Sequence, residues 1–212
     1  MNWTVETLGP IVDAEIAALP ADMQAAFLRV AERIEAVGLE RVGAPHIKHL
    51  QDKLWEMQFI GRDGIARALY VTAIGRRVIA VHTFVKKTQK TPKGCSETGG
   101  AACQGDFIMT SLAALKSKLL TDPAVKAEYD RLGPIFSVVS EMVEARQTAG
   151  LTQAEIARRM GTTQSVVGRL ESGRHMPSFD MVSRYAAALD RRIDIHLVPR
   201  HSADVALAGS PI

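Results

Sequence analysis

The sequence has 212 residues, of which 47% are hydrophobic and 23% charged, and its formal net charge is only +3. This composition excludes a disordered chain and a fibrous repeat, and two cysteines are too few for a disulfide scaffold. The chain holds no apolar run of about eighteen residues and starts without a basic leader, so we expect a soluble, cytoplasmic protein of one or two domains, with no membrane partner.

The charge is unevenly distributed along the chain. Residues 1–40 hold two basic and seven acidic side chains, a balance of −5, whereas residues 41–93 hold eleven basic and three acidic side chains, a balance of +8. Such segregation creates a local positive field that the total charge conceals. Either a solvated face or a polyanion site explains it.

The first part of the chain mixes helix and strand signals. A weak alternation over residues 3–7 is a candidate strand, and two helices are predicted, one near Pro10–Leu19 and one between Pro20 and Gly38. Three alternating segments then predict strands at Leu54–Ile60, Ile65–Ala73 and Arg77–Val85. Their short, Gly-containing connections favour hairpins, so we predict an α+β domain in which a helical hairpin packs on a small antiparallel sheet.

Residues 94–110 break this pattern, because they are rich in Gly and have no apolar period. We interpret them as a linker between two domains. Cys95 and Cys103 fall in it, and no further Cys or His lies at metal-ligand spacing, so we assign them no role.

The rest of the chain is predicted to be mainly helical. Asp122 and Pro123 begin one helix, Pro134 interrupts it, and a further helix ends at Gly150. Near the end the period changes to a strand-like alternation of Ile193, Ile195 and Leu197, which predicts a terminal strand before a flexible tail at residues 201–212. This strand is either a dimer edge or a strand within the domain.

The segment LTQAEIARRMGTTQSVVGRLESGRHMPS has the pattern of two short helices joined by a tight turn. Thr152 is placed to cap the first helix, Gly161 supplies the turn, Thr162 is placed to cap the second, and Gly173 ends it. This is the arrangement of a helix-turn-helix, whose second helix enters the major groove of DNA. The side chains of this second helix that we expect only in the core are Val166, Val167 and Leu170.

At these residues the sequence resembles the Cro/repressor-like (Xre) helix-turn-helix family, with the whole five-helix unit near residues 137–190. The resemblance implies operator DNA as a partner. One such domain reads only one half-site, so it also implies a homodimer. It also implies base or phosphate contacts by Thr163, Gln164, Ser165 and Arg169, and a phosphate contact by Gln153. Gly168 departs from the more usual Ser or Ala and costs the helix about 0.5–1 kcal/mol relative to Ala.

The basic part has no Ser/His/Asp set, and His46, His49 and His82 do not form a metal motif, so we expect neither a metal nor another cofactor. Its candidates are cations on or beside the predicted strands. Arg67 stands out because it lies inside an apolar run, where it must reach solvent, pair with an acid or line a cleft.

Through KHLQDKLWEMQF, GIARALYV and VHTFVKKTQKTPK this part resembles the phage-derived HigB-like branch of the RelE/HigB toxins. The resemblance implies an endoribonuclease that cleaves mRNA on the ribosome without a metal. It assigns Arg67, Lys86 and Lys87 to the transition-state phosphate and Lys48 to RNA contact or activation of the 2′-hydroxyl. In this family a helix normally follows the KTP-like motif, and the Gly-rich segment here is a poor helix former.

The helices after Met109 resemble a HigA-type antitoxin, so we expect a toxin–antitoxin fusion that represses its own operon, with toxin–antitoxin contact in cis or in trans. The expected division is residues 1–93 toxin-like, 94–110 linker, 111–200 antitoxin-like and 201–212 tail. Two alternatives stay open. One is a pure transcriptional regulator with an inactive toxin-derived domain for dimerisation or sensing, and the other is a regulator whose basic part binds an anionic metabolite.

Overall fold

We analysed a computed structural model of the chain, which describes residues 3–42, 46–62, 64–86 and 109–195. The elements before residue 87 are, in chain order, β1 (Thr4–Thr7), α1 (Gly9–Ala17), α2 (Ala21–Val37), α3 (Leu39–Val42), β2 (Ile47–Gln51), β3 (Leu54–Gly61), β4 (Gly64–Ala73) and β5 (Arg77–Lys86). Those after residue 108 are β6 (Thr110–Ser111), α4 (Leu112–Leu119), α5 (Pro123–Thr148), α6 (Gln153–Arg159), α7 (Gln164–Glu171) and α8 (Phe179–Ala188). Residues 94–108 of the predicted linker 94–110, with both cysteines, lie outside the described residues, and the end of that prediction is wrong because Thr110 begins β6.

The sheet has six strands in the order β2-β3-β4-β5-β1-β6. The three predicted strands β3, β4 and β5 are confirmed and form an antiparallel meander. The prediction of an antiparallel sheet is wrong at one pair, because β1 lies parallel to β5. The chain leaves β1 through α1 and α2, which cross to the far edge of the sheet, and the meander then returns to the side of β1.

The two predicted helices of the hairpin are confirmed as α1 and α2, and α2 ends at Gly38, whose φ of 92° suits glycine. The buried side of α2 lies on the sheet, where the rings of Phe27 and Phe59 meet edge to face at 5.7 Å. The face of the sheet toward the helices carries Met57, Phe59, Ala66, Ala68 and Tyr70, all in one hydrophobic core.

The segment after residue 108 completes this core. The short strand β6 pairs with β1, and α4 and the first half of α5 bury their apolar side chains against α2 and the sheet. These buried side chains include Leu112, Leu115, Leu119, Val125, Leu132 and Val139. Residues from both predicted domains therefore share one hydrophobic core.

The sequence predicts that Pro134 ends one helix and separates it from the next. The structure differs, because α5 is a single helix of 26 residues that continues through Pro134. A proline inside a helix removes a backbone hydrogen bond and costs about 3 kcal/mol. On both sides of it Leu132, Ile135 and Phe136 are buried, and each such side chain contributes about 1.5–3 kcal/mol. This burial offsets the cost of the proline and keeps the helix continuous.

The second half of α5 belongs to a different core, which it forms with α6, α7 and α8. Its buried members are Met142, Ile156, Ala157, Met160, Val167, Tyr185 and Leu189. One helix thus contributes side chains to both of these cores. A third apolar cluster among the described residues covers the other face of the sheet and contains Leu54, Leu69, Val71, Ile79 and Val81. Among the described residues no helix is both long and apolar enough to cross a membrane.

Only residues 191–195 of the predicted terminal strand are described. They have no regular structure, so the strand is not formed there. Leu197 and the tail at 201–212 lie outside the described residues. A strand needs a neighbour to bind its backbone groups, and the elements that surround Ile193 and Ile195 here are helices.

Shortening Leu115, which is only 1% exposed, tests whether α4 is part of the first core. We expect Leu115→Ala to lower the free energy of unfolding of the full chain by about 2–4 kcal/mol, because the cavity it leaves cannot fully collapse. Urea denaturation followed by circular dichroism measures this loss. Lys118→Ala, at an exposed site of the same helix, is the matched control and should cost about 0.5 kcal/mol or less. Equal effects of the two substitutions would show that α4 does not pack on this core.

Candidate nucleic-acid interface

Helices α6 and α7 form the predicted helix-turn-helix. Thr152 and Glu155 form a capping box at the start of α6, and Gly161 takes a φ of +63° in the turn. The cap of α7 is Thr163 and not the predicted Thr162. The reason is that the Thr162 N–H donates to the carbonyl of Ala157 at 2.8 Å, which closes the end of α6 as a Schellman motif, so the next residue begins α7.

The predicted contact residues of α7 lie at its surface. Thr163, Gln164 and Ser165 are exposed at the N-terminal end, and Arg169 is exposed one turn later. On the opposite side Val167 is fully buried in the second core and Leu170 packs partly against it, as predicted. Val166, predicted with them, is only half-buried and is not a member of this core. The helix therefore separates an apolar anchoring side from a polar side that can meet a ligand.

The carboxylate of Glu171, at the C-terminal end of α7, is the centre of a buried network. Arg146 of α5 donates to both of its oxygens, at 2.7 and 2.8 Å. The Tyr185 hydroxyl donates to it at 2.6 Å, and burial together with this carboxylate raises the pKa of Tyr185. The network ties α5, α7 and α8 together.

Gln153 also belongs to this network, since its side-chain amide donates to Glu171 Oε2 at 2.9 Å. The sequence predicts only a phosphate contact for Gln153 and does not predict the network. The only sign of the network in the sequence is Glu171, an acidic residue among the apolar positions of α7. Its partner Arg146 lies 25 residues earlier. Sequence spacing alone does not connect such a pair.

The C-terminal end of α7 touches the sheet-bearing part of the chain at His46 and Arg33. Nδ1 of His46 lies 3.1 Å from the carbonyl oxygen of Gln58, to which it must donate, and the Ser172 backbone lies against the same ring. The pKa of His46 is lowered to about 4, mainly by burial and in smaller part by Arg33, while the backbone hydrogen bonds with Gln58 and Ser172 oppose this shift. Burial likewise lowers the pKa of Arg33, which Glu171 partly offsets. Two buried, basic side chains thus line the contact between the two parts of the molecule.

The candidate basic site on the sheet has a different character. Arg67 lies between Ala66 and Ala68 on β4, and Glu56 precedes Met57 on β3. Because Ala66, Ala68 and Met57 face the helices and successive side chains of a strand point to opposite faces, Arg67 and Glu56 lie on the other face of the sheet. The side chain of Arg67 is 13% exposed and forms an ion pair with the fully buried Glu56. Of the three arrangements that the sequence allows for Arg67, the structure has the pairing with an acid.

The other basic candidates are only partly described. Lys48 is exposed on the edge strand β2, directly across from Glu56 in the register. Lys86 ends β5 opposite Ile65, but its side chain, like the whole of Lys87, lies outside the described residues. The described part of this site therefore brings together Lys48, Glu56 and Arg67.

The capped helix pair, the glycine turn and the exposed polar start of α7 define a protein of the helix-turn-helix class. Comparisons with known families agree. A helix-turn-helix family model matches residues 142–195, and a model of phage-derived Gp49-like proteins matches residues 14–98.

Curated relatives match shorter stretches of the chain. An uncharacterised helix-turn-helix transcriptional regulator of Methanothermobacter thermautotrophicus is 46% identical over 48 residues, which are 23% of this chain and 70% of that protein. The chain therefore belongs to the helix-turn-helix transcriptional regulators. It is also 30% identical over 79 residues to antitoxin HigA1 of two Mycobacterium tuberculosis strains, CDC 1551 and H37Rv. That match covers 37% of this chain, and the chain spans about half (53%) of HigA1.

Burial of His46 makes the stability of the chain depend on pH. The pKa of His46 is about 4 in the folded chain and 6.5 as an ordinary value, so the unfolded chain binds the proton first as the pH falls. Stability should therefore fall between pH 6.5 and 4, and His46 should account for about 2 kcal/mol of the loss at pH 5. Urea unfolding at pH 7 and pH 5 measures this loss.

The variant His46→Asn removes the titrating group and keeps an amide N–H for the Gln58 carbonyl. Its loss of stability from pH 7 to pH 5 should be about 2 kcal/mol smaller than that of the parent chain. Between pH 7 and pH 8 the two chains should change by the same amount, which serves as the control. An unchanged loss at pH 5 would show that His46 is not buried in its neutral form.

Proposed function

We propose that this regulator is an antitoxin-type repressor that binds operator DNA through the exposed start of α7. The observation that carries the proposal is the set of polar side chains at the N-terminal end of a helix whose other end is fixed by the buried Glu171 network. A recognition helix must be held rigidly while its first turn enters the major groove. The resemblance to the HigA1 antitoxin supports the antitoxin type.

The chemistry of the exposed residues suggests a role for each. Gln164 suits a bidentate contact with adenine, Arg169 a contact with guanine or phosphate, and Ser165 and Thr163 either a base or a phosphate. Gln153 contributes by linking α6 to Glu171 and so orients α7. One helix-turn-helix covers one half-site, so we propose that the chain binds a palindromic operator as a homodimer.

Truncating a contact residue should weaken binding to the DNA upstream of the chain's own coding sequence. We expect Gln164→Ala and Arg169→Ala each to raise the Kd by roughly 5- to 150-fold, equivalent to about 1–3 kcal/mol. Fluorescence anisotropy with a labelled duplex at several salt concentrations measures the Kd and its salt dependence. The control Lys118→Ala removes a charge from α4, far along the chain from α7, and should change the Kd less than about twofold. Equal losses for all three variants would refute base recognition by α7.

For the first part of the chain we propose a HigB-like endoribonuclease fold that is restrained in cis. The match of residues 14–98 to the Gp49-like proteins and the +8 balance of residues 41–93 support an RNA-binding origin. The packing of α4 and α5 on α2 and the sheet supports restraint within one chain. In this proposal Arg67, Lys86 and Lys87 stabilise the phosphate and Lys48 contacts mRNA on the ribosome.

One observation favours the alternative, a regulator whose toxin-like part is inactive. Electrostatic stabilisation of a phosphorane requires an available cation, whereas the charge of Arg67 is balanced by Glu56. An arginine held by a buried carboxylate is a structural ion pair unless the substrate displaces the acid. The two readings therefore differ in the effect of removing the carboxylate.

Substituting Glu56 separates these readings in the full-length chain. If a latent nuclease is present, Glu56→Gln should release Arg67 and raise mRNA cleavage by translating ribosomes at least tenfold, and adding Arg67→Ala should abolish the gain. Primer extension on mRNA from an in vitro translation reaction measures the cleavage, and circular dichroism confirms that both variants fold. If neither the parent chain nor folded Glu56→Gln cleaves mRNA, the inactive alternative holds, and DNA binding is unaffected by that outcome.

A further inference from the structure

An open groove of about 600 Å³ lies on the helix-turn-helix part of the chain, between the second half of α5 and α8. The loop before α8 and the segment after it complete the groove. Its apolar lining includes Val138, Met142, Ala145, Met176, Phe179, Val182, Leu189, Ile193 and Ile195. The exposed side chains of α7 that we propose to contact DNA do not line it, so the groove is a separate surface.

Three large apolar side chains of this groove are exposed. Met176 is 55%, Phe179 63% and Ile195 62% exposed. Among the described residues, the other large apolar side chains with such exposure lie in different elements, Ile11 in α1 and Ile74 in the turn between β4 and β5. A single exposed apolar side chain is common in proteins, but a group of them around one groove marks an interaction surface.

The combination of a groove with exposed apolar side chains suits a contact between two identical chains. A small molecule inside the groove would leave much of Phe179 and Ile195 in water, because both side chains are more than half exposed. A second copy presents the same side chains to the same groove, so each chain covers the apolar surface of the other. Such a contact, with the same surface on both chains, closes around a two-fold axis.

The charges beside the groove are balanced, which also favours self-association. Two acids and two arginines line it, and they are Glu141, Arg191, Arg192 and Asp194. When this surface meets its own copy, the contact carries no net charge, and acids can face arginines across it. A strongly acidic or strongly basic partner gains no electrostatic advantage here.

The segment 191–195 points to the same partner. The alternation of Ile193 and Ile195 predicts a strand, but in the single chain this segment has no regular structure. A strand requires a neighbour that binds its backbone N–H and C=O groups. The same segment of a second copy, related by the two-fold axis, is such a neighbour.

We propose that this groove is the interface of a homodimer, in which the exposed Phe179 and Ile195 of each chain pack into the groove of the other. The inference rests on the proposed repressor function for its purpose, because a palindromic operator requires two recognition helices. It adds the surface that holds the two chains together. The exposed start of α7 lies outside this surface and remains available to DNA.

Sedimentation equilibrium of the full-length chain in the absence of DNA measures the oligomeric state. We expect a species of twice the mass of one chain, with a dimer Kd below roughly 10 μM. A chain that is still monomeric at roughly 100 μM would overturn the proposal.

Two matched isoleucine variants locate the interface. Ile195→Asp places a charge in the apolar contact and should raise the dimer Kd by roughly 100-fold or more, because a buried charge without a partner is costly. Ile74→Asp is the control, since Ile74 is 98% exposed in the turn between β4 and β5, and it should change the dimer Kd less than about twofold. If Ile195→Asp dimerises as well as the parent chain, the chains associate elsewhere and the assignment to this groove is overturned.

A second variant separates loss of the interface from loss of folding. Phe179 is the first residue of α8, where an acidic side chain interacts favourably with the helix dipole. Phe179→Asp should therefore keep the helix and still raise the dimer Kd by roughly tenfold or more. Circular dichroism checks the folding of both aspartate variants. A folded Phe179→Asp chain with the dimer Kd of the parent would also overturn the proposal.

The same variants distinguish failure of this interface from failure of the repressor function. A dimer that Ile195→Asp disrupts, but that binds no operator DNA, would support the groove and refute the repressor. Operator binding by a chain that stays monomeric, or whose dimer is unaffected by Ile195→Asp, would refute the groove and leave DNA recognition by α7 in place.

Discussion

The buried carboxylate of Glu171 is the interaction on which the geometry of the helix-turn-helix depends. A charge that is almost completely removed from water is tolerated only if its oxygens are bound, and here Arg146, Tyr185 and Gln153 share them. These partners come from three other helices, so the direction of α7 is set by side chains outside it. The direction of α7 in turn sets the position of the exposed residues at its N-terminal end. A buried network at the C-terminal end of the helix therefore affects ligand recognition at the N-terminal end.

Helix α5 extends this constraint to the rest of the molecule. Its second half supplies Arg146 to the Glu171 network, while its first half packs Leu132 and Phe136 against α2 and the sheet. The helix passes through Pro134 without a break because burial on both sides outweighs the lost hydrogen bond. The sheet and the recognition helix are therefore joined by one rigid element as well as by the contact at His46.

The sequence predicts the local elements well and their assembly poorly. The segments β3, β4, β5, α2 and the helix-turn-helix carry enough apolar residues to be detected locally, and the structure confirms them. The edge strand β2 is missed, since its residues are mostly exposed and carry little alternation. The parallel pairing of β1, the continuity of α5 and the Arg67–Glu56 ion pair depend on groups far apart in the chain. Such long-range contacts produce no periodic pattern in the sequence from which they could be predicted. The candidate contact residues of α7 follow from a local motif, whereas the network behind them does not.

The pairing of β6 with β1 and the burial of α4 bear on how the chain folds during synthesis. The first 86 residues leave the ribosome before Thr110 and Leu115, which complete their sheet and core. Until then the apolar side of α2 that receives α4 and α5 is uncovered, and exposed apolar surface is what chaperones bind and what aggregates. A fragment that ends at residue 93 would remain in this state permanently. The first core can therefore be completed only after translation has passed α4, so the speed of synthesis sets the earliest moment at which the sheet is fully covered.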